Sequence, residues 1–222
     1  MDLLEAVYAR HSVRSFKDRA IEGKVRQDLI DYIRKCSEES KLHLELVLDE
    51  PTAFDSFMAH YGKFSNVKNY IVLAGKKDTD LEEKCGYYGE KIVLFAQTLG
   101  LNTCWVALTY NKGKAAAQLQ PGEKLCLVIA IGYGETDGHP HKSKSKEQVM
   151  RTDTILPEWF LKGIDAALLA PTAVNQQKFV FTLKDKNTVT AKAGIGFYSK
   201  IDLGIAKCHF ELGAGRDNFR WG

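Results

Sequence analysis

Apolar side chains recur at helical spacing at Leu3, Leu4, Val7 and Tyr8 and predict an opening helix with one apolar face. Leu29, Ile30, Ile33 and Cys36 predict a second helix that fades into the polar run Ser37, Glu38, Glu39, Ser40. Residues 42–48 alternate as a half-buried strand does. Residues 69–74 and 125–131 are continuously apolar and read as interior strands. The longest helix is expected over 86–101, with Gly100 as its C-terminal cap. Residues 135–146 are polar, rich in turn formers, and read as a linker or loop. Beyond it the pattern predicts a helix over 159–169, strands at 179–183 and 189–193, and a last helix near 205–212. Helices and strands follow one another without a steady strand-helix-strand beat, which points to an α+β layered fold. The order helix, strand, long helix occurs early and again late, so an internal duplication is expected, with residues 1–150 and 151–222 as its two parts.

Composition narrows the function classes. A chain of 222 residues, 45% hydrophobic, can bury a substantial core. Its 31 Lys and Arg against 28 Asp and Glu leave a net charge of only +3, so nothing in the overall charge calls for nucleic acid. No apolar stretch is long enough for a bilayer, and the N-terminus carries acids early and does not read as a signal peptide, so no membrane partner and a cytoplasmic location are expected. Five cysteines, widely spaced and without a Cys-x-x-Cys, read as free thiols, with no metal site. His139-Pro140-His141 lacks further ligands and does not change that reading. Gly132-Tyr133-Gly134 fails as a dinucleotide fingerprint because the next glycine, Gly138, comes one place late.

Two segments carry candidate chemistry. Arg10, Ser12 and Arg14 stand at alternate positions just after the first helix. In extended chain alternate side chains share a face. Two guanidinium forks and a hydroxyl on one face suit a phosphate. A solvated basic helix end would use the same residues, with arginine complementing the helix dipole. Much later, Pro171 stops a helix, and Thr172 and Asn175 offer polar groups where the backbone turns. A plain helix-to-strand connection would use similar residues.

Together these segments resemble the two motifs of the nitroreductase family, FMN-dependent oxidoreductases. The first matches Arg-x-Ser-x-Arg and a following aromatic, here Phe16. The second, Pro171-Thr172-Ala173-Val174-Asn175-Gln176, resembles Pro-Ser-x-x-Asn-x-Gln-Pro-Trp, with Thr172 for Ser, Gln176-Gln177-Lys178 in place of the tail, and no Trp. In the family both motifs meet across a dimer interface. Here each half keeps the motif that the other lacks, so the resemblance implies a dimer-like, nitroreductase-like layered fold from one chain, two pseudo-repeats, and one flavin. It is similar to a fused two-half subgroup typified by a Thermotoga protein.

The resemblance also implies cofactor contacts. Arg10, His11, Ser12 and Arg14 would bind FMN, Arg10 and Ser12 at its phosphate and Arg14 near N1 and O2. Trp105, Val106, Ala107 and Leu108 correspond to a loop beside the isoalloxazine, after a central helix ending in Gly100-Leu101. Lys142 and Lys144 lie where the family carries basic residues that reach the phosphate, and Lys63 may be compared with a lysine near the pyrimidine. Pro171, Thr172, Ala173 and Asn175 would close the site.

The implied activity is reduction of the flavin by NAD(P)H followed by reduction of a small nitro- or quinone-like acceptor in the same place, with no side chain acting as acid or base. A flavin-binding storage or sensor module without turnover would share these motifs, and a cofactor-free interaction protein would retain part of them. The fusion makes a monomer sufficient and leaves a homodimer open.

Overall fold

The computed structural model describes residues 1–55 and 61–222. In chain order its elements are α1 (Leu3–Ala9), α2 (Gly23–Ser40), β1 (His43–Val47), β2 (Tyr70–Lys76), α3 (Leu81–Thr98), β3 (Asn102–Val106), β4 (Glu123–Gly132), α4 (Lys146–Val149), β5 (Met150–Thr152), α5 (Glu158–Ala167), β6 (Phe179–Leu183), β7 (Thr188–Ala193), α6 (Ser199–Ala214) and β8 (Arg220–Trp221). Short 3-10 turns occupy Ala173–Asn175 and Arg216–Asn218. The α+β class expected from the sequence is the class observed. The chain forms two compact units, a central one of residues 10–81 and 91–139 and a terminal one of residues 1–9, 82–90 and 140–222.

The central unit is built on an antiparallel sheet of order β1-β2-β4-β3. Tyr70, Val72 and Ala74 of β2 pack with Val13, Phe16, Phe54, Phe64, Cys104 and Val128 in one core cluster. Successive strand residues point to opposite faces, so Ile71 and Leu73 project to the other side and are equally buried. Burial on both faces explains the unbroken apolar run of β2. The second helix does not fade at Ser37 as the pattern suggests. It continues to Ser40, whose buried hydroxyl donates back to the Cys36 carbonyl at 2.6 Å, and stops at Lys41 in the left-handed region. The long helix begins at Leu81, earlier than expected, and Gly100 (φ 78°) closes it while the Leu101 amide reaches back to the Ala96 carbonyl.

The terminal unit carries a mixed sheet of order β5-β6-β7-β8, in which β6 and β7 are antiparallel and the two flanking pairs parallel. Its core is aromatic. Phe181 stacks on Phe210 with centroids 4.6 Å apart, and Phe160, Phe219 and Trp221 surround the pair. Residues 82–90 of α3 pack on α6 with no room for side chains. A Cβ on Gly86 would lie 2.1 Å from the Ile201 carbonyl oxygen, and one on Gly204 would lie 2.0 Å from that of Glu83. Deeper in this packing His209 Nδ1 donates to the Ala166 carbonyl at 3.1 Å and Nε2 lies 2.8 Å from Glu90, both side chains fully buried.

Candidate functional site

In the central unit, residues 12–17 are held in extended form by main-chain bonds on both sides. The Val13 amide donates to the Thr103 carbonyl at 2.9 Å, beside a parallel bridge between Ser12 and Thr103. The Phe16 amide donates to Ser65, the Ser65 amide to Arg14, the Lys17 amide to Tyr133, and the Glu135 amide to Ser15. Asn66 Nδ2 adds a bond to the Phe16 carbonyl at 2.9 Å. Val13 and Phe16 point into the core and anchor the segment from below, leaving Ser12 half-buried and Arg14 exposed. Arg10, by contrast, is 3% exposed. His11 lies against Gly138, whose Cβ position is 2.7 Å from that of His11 and whose φ is 76°.

The same unit brings two further predicted segments to this one. Trp105 and Val106 do not form a loop. They end β3, paired with Ile129 and Val128 of β4, and only Ala107 and Leu108 lie beyond the strand. The reason is local: Thr103, Cys104, Trp105 and Val106 are β-branched, compact or aromatic, and fit a pleated and largely buried surface. Through the bridge at Ser12 and Thr103, residues 10–14 run alongside this strand. Lys63 has a left-handed backbone (φ 59°) and an exposed side chain. It is carried between Gly62, which a Cβ would press to 2.8 Å from Thr109 Cβ, and Phe64, whose ring lies 6.0 Å from the Arg14 guanidinium. The electrostatics register the gathering. Burial pushes the Cys104 thiol above its ordinary value, while Arg14, Arg10 and the Ser12 hydroxyl oppose that rise.

In the terminal unit the other predicted residues also converge. Asn175 Nδ2 donates to the Lys142 carbonyl at 2.9 Å, and Lys144 Nζ donates to the Gln177 carbonyl at 3.0 Å. Thr172 Oγ1 accepts from the Gln177 amide at 3.0 Å. Pro171, Thr172 and Ala173 are half-buried, and Asn175 and Lys142 are exposed. Three residues of this turn, Val174 (φ 47°), Asn175 (φ 54°) and Gln177 (φ 44°), occupy the left-handed region. Such a backbone is uncommon outside glycine and costs most for a β-branched residue such as Val174.

The turn is held chiefly by Gln177, which falls on the Gln of the family pattern when counted from Pro171, and by Gln176, at an unspecified position of it, so the departures in the tail are confined to Lys178 and Phe179. Gln177 is 2% exposed, and its amide accepts from the Lys144 amide at 2.9 Å and donates to the Lys142 carbonyl and to Asn175 Oδ1 at 2.9 and 2.7 Å. Gln176 Nε2 donates to Phe197 O and to Asp202 Oδ2, both at 2.6 Å. Asp202 Oδ1 accepts from the Ala173 amide at 3.0 Å. Burial raises the Asp202 carboxyl to about 6, against the two hydrogen bonds that favour its charged form. The sequence presents Gln176 and Gln177 only as part of the second motif, with no role of their own, and gives Asp202 no distinction. The only signal for the two glutamines is their position just after Asn175, and Asp202 sits inside an unremarkable helical pattern.

The donor set suits an anionic, hydrogen-bonding ligand. A hydroxyl and an exposed guanidinium stand on a backbone fixed from both sides, with a lysine nearby. Among the described residues no group of His, Cys, Asp and Glu could hold a metal ion, and no helix is long and apolar enough to cross a membrane. All five cysteines are buried, and none is in a disulfide.

A protein-family model described as "Putative TM nitroreductase" matches residues 2–214. No curated protein matches the chain. Among solved structures, a "putative nitroreductase" from Thermotoga maritima is 26% identical, covers 98% of this chain and 85% of its own, and superposes with a TM-score of 0.68. A "Putative NADH dehydrogenase/NAD(P)H nitroreductase" from Bacteroides thetaiotaomicron is 20% identical over 66% of this chain and 95% of its own, with a TM-score of 0.51. A "putative nitroreductase in complex with FMN" from Desulfovibrio desulfuricans is 16% identical over 67% and 95%, with a TM-score of 0.52. The last two agree with this chain in fold.

Proposed function

Because this chain belongs to the nitroreductase family, we propose that it is an FMN-dependent oxidoreductase that uses NAD(P)H to reduce a small nitro- or quinone-like acceptor. One observation carries the reading: residues 10–14 run beside β3, so Ser12 and Arg14 share a rim with 105–108 although the two segments are far apart in sequence. The family resemblance assigns both segments, among others, to one cofactor, and their main-chain pairing supports that reading.

FMN, when bound, supplies transfer of two electrons between nicotinamide and acceptor. The chain's own contribution is binding and electrostatics. Arg10 and Ser12 are assigned to the phosphate, with Lys142 assisting. Lys144 is assigned there too, although its ammonium also donates to the Gln177 carbonyl. Arg14, exposed on a fixed backbone, is assigned to N1 and O2, where a positive charge stabilises a reduced anionic ring. The family resemblance assigns His11, Lys63, Trp105, Val106, Ala107 and Leu108 to the cofactor, and likewise Pro171, Thr172, Ala173 and Asn175. No side chain is assigned as acid or base. The two-part reading of the chain, 1–150 and 151–222, gives one FMN per chain, with a monomer sufficient, and five cysteines outside disulfides suit a reducing cytoplasm.

The test is the absorbance spectrum of the purified protein after saturation with FMN and desalting, with flavin quantified per chain. Retention near one FMN, bleached by NADH or NADPH under anaerobic conditions and recoloured by a quinone or nitroarene, is expected. Retained flavin that stays oxidised with both nicotinamides would make the chain a storage or sensor module. A protein that stays colourless would overturn the flavin reading.

A further inference from the structure

We propose that Asp202 is a positioning residue: through Gln176 it holds the 172–177 turn and the loop carrying Ile195 and Phe197 as one rigid piece, in the shape that receives the cofactor. This rests on the flavin reading above. Asp202 lies at the start of α6 and is 2% exposed. One carboxylate oxygen takes the Ala173 amide, and the other takes Gln176 Nε2. The second hydrogen of that amide group goes to Phe197 O, so a single side chain ties two loops to one carboxylate. The fit leaves no slack, because a Cβ on Gly196 would lie 2.3 Å from Gln176 Oε1.

Two further observations show why the device is needed. Val174, Asn175 and Gln177 hold left-handed backbone that the turn would not choose alone, and such strain persists only where surrounding structure over-determines it. Ile195 and Phe197 are 97% and 78% exposed, so apolar packing does not fix their loop. The clamp does. The carboxylate itself is poorly accommodated: burial lifts it to about 6 in spite of its two donors. Asparagine would keep the bond from Ala173 without that penalty, so stability alone does not account for an aspartate here. The ionisable groups on the elements around it have other partners. Lys207 pairs with Glu83, Tyr87 donates to Glu211, and Lys144 donates to the Gln177 carbonyl. Tyr198, Lys200 and Lys142 lie in the adjoining segments of the same unit, with Lys178, whose side chain reaches Gly196.

The test is Asp202→Asn, which turns an NH2 toward the NH2 of Gln176. FMN fluorescence quenching at pH 7.5 is expected to show affinity about tenfold weaker, with the melting temperature of the apoprotein equal or higher. Wild-type affinity should fall as pH is lowered from 7.5 to 5.5, and Asp202→Asn should lose that slope. The reciprocal double variant Asp202→Asn/Gln176→Glu should regain part of the affinity, because a carboxylate then faces an amide donor again. Gln176→Ala, measured in the same titration, carries the same expectation should Asp202→Asn fail to fold. Affinity within twofold of wild type with an unchanged pH profile would overturn the clamp. Amide hydrogen exchange in the apoprotein gives a cofactor-free readout: exchange at 173–178 and 195–198 should quicken together in the variant, and equal rates would overturn the proposal. Loss of FMN binding by the wild type would overturn the flavin reading alone, and the clamp would then be judged by exchange.

Discussion

Residues 12–17 and residues 172–177 both present motif side chains, but they are held by different means. The first segment is fixed by main-chain bonds to Thr103, Ser65, Tyr133 and Glu135, and by Val13 and Phe16 in the core. The second is a strained turn fixed by side chains, chiefly Gln177, Gln176 and Asp202. Main-chain fixation is indifferent to which side chains point outward, so the first segment can change its chemistry without losing its shape. Side-chain fixation makes shape and sequence inseparable.

The sharpest break in that comparison is Gln177→Ala. Three part-buried side-chain bonds disappear, at about 1 kcal/mol each, so stability should fall by about 3 kcal/mol, read from urea unfolding. The corresponding truncation in the other segment, Ser12→Ala, should cost less than about 1 kcal/mol in the same assay.

Asp202 gives the next largest effect, and it depends on pH. Its folded value, about 6, lies above its ordinary value of 3.8. The fold therefore favours the protonated acid. Stability from this group is fully present below pH 3.8 and is lost as pH rises through 6, a change of about 3 kcal/mol at most. Unfolding midpoints at pH 4.5 and 7.0 should differ in this sense more for wild type than for Asp202→Asn.

Arg14→Ala should weaken FMN binding about 30-fold, one charge-assisted contact, while leaving the unfolding midpoint in place, because the bonds that hold residue 14 are made by its backbone. An unchanged affinity would remove Arg14 from the site. Val174→Gly acts in the opposite sense: it relieves a β-branched residue at φ 47° and should stabilise the turn by about 1 kcal/mol in the same unfolding assay.

The difference between the two segments also marks what could be read from the chain. Strands β2 and β4 and the helices were legible because burial on one or both faces leaves a period in the residues. Residues 10–16 were legible as an extended motif because the alternation itself is the structure. Strand β3 was read as a loop: its five residues follow a glycine-capped helix end, and so short a segment gives periodicity little to work with. The turn was harder still. Gln177 falls on a residue of the pattern and Gln176 on an unspecified one, but their role is set by a carboxylate in α6 and carbonyls at Lys142 and Phe197 that no local window contains. Left-handed φ values at Val174 and Gln177 are imposed by those bonds and contradict local preference, so sequence alone argues against them.

The glycine contacts at Gly86 and Gly204 decide how the terminal unit can move. Packed helices usually slide past one another by small side-chain readjustments, the shear by which many proteins open and close. Here the helices meet backbone to backbone, and no side-chain cushion lies between Gly86 and Ile201 or between Gly204 and Glu83. Sliding would drive a carbonyl into a main chain. That pair of helices acts as a fixed rail, and any breathing in this unit falls to the loops mounted on it.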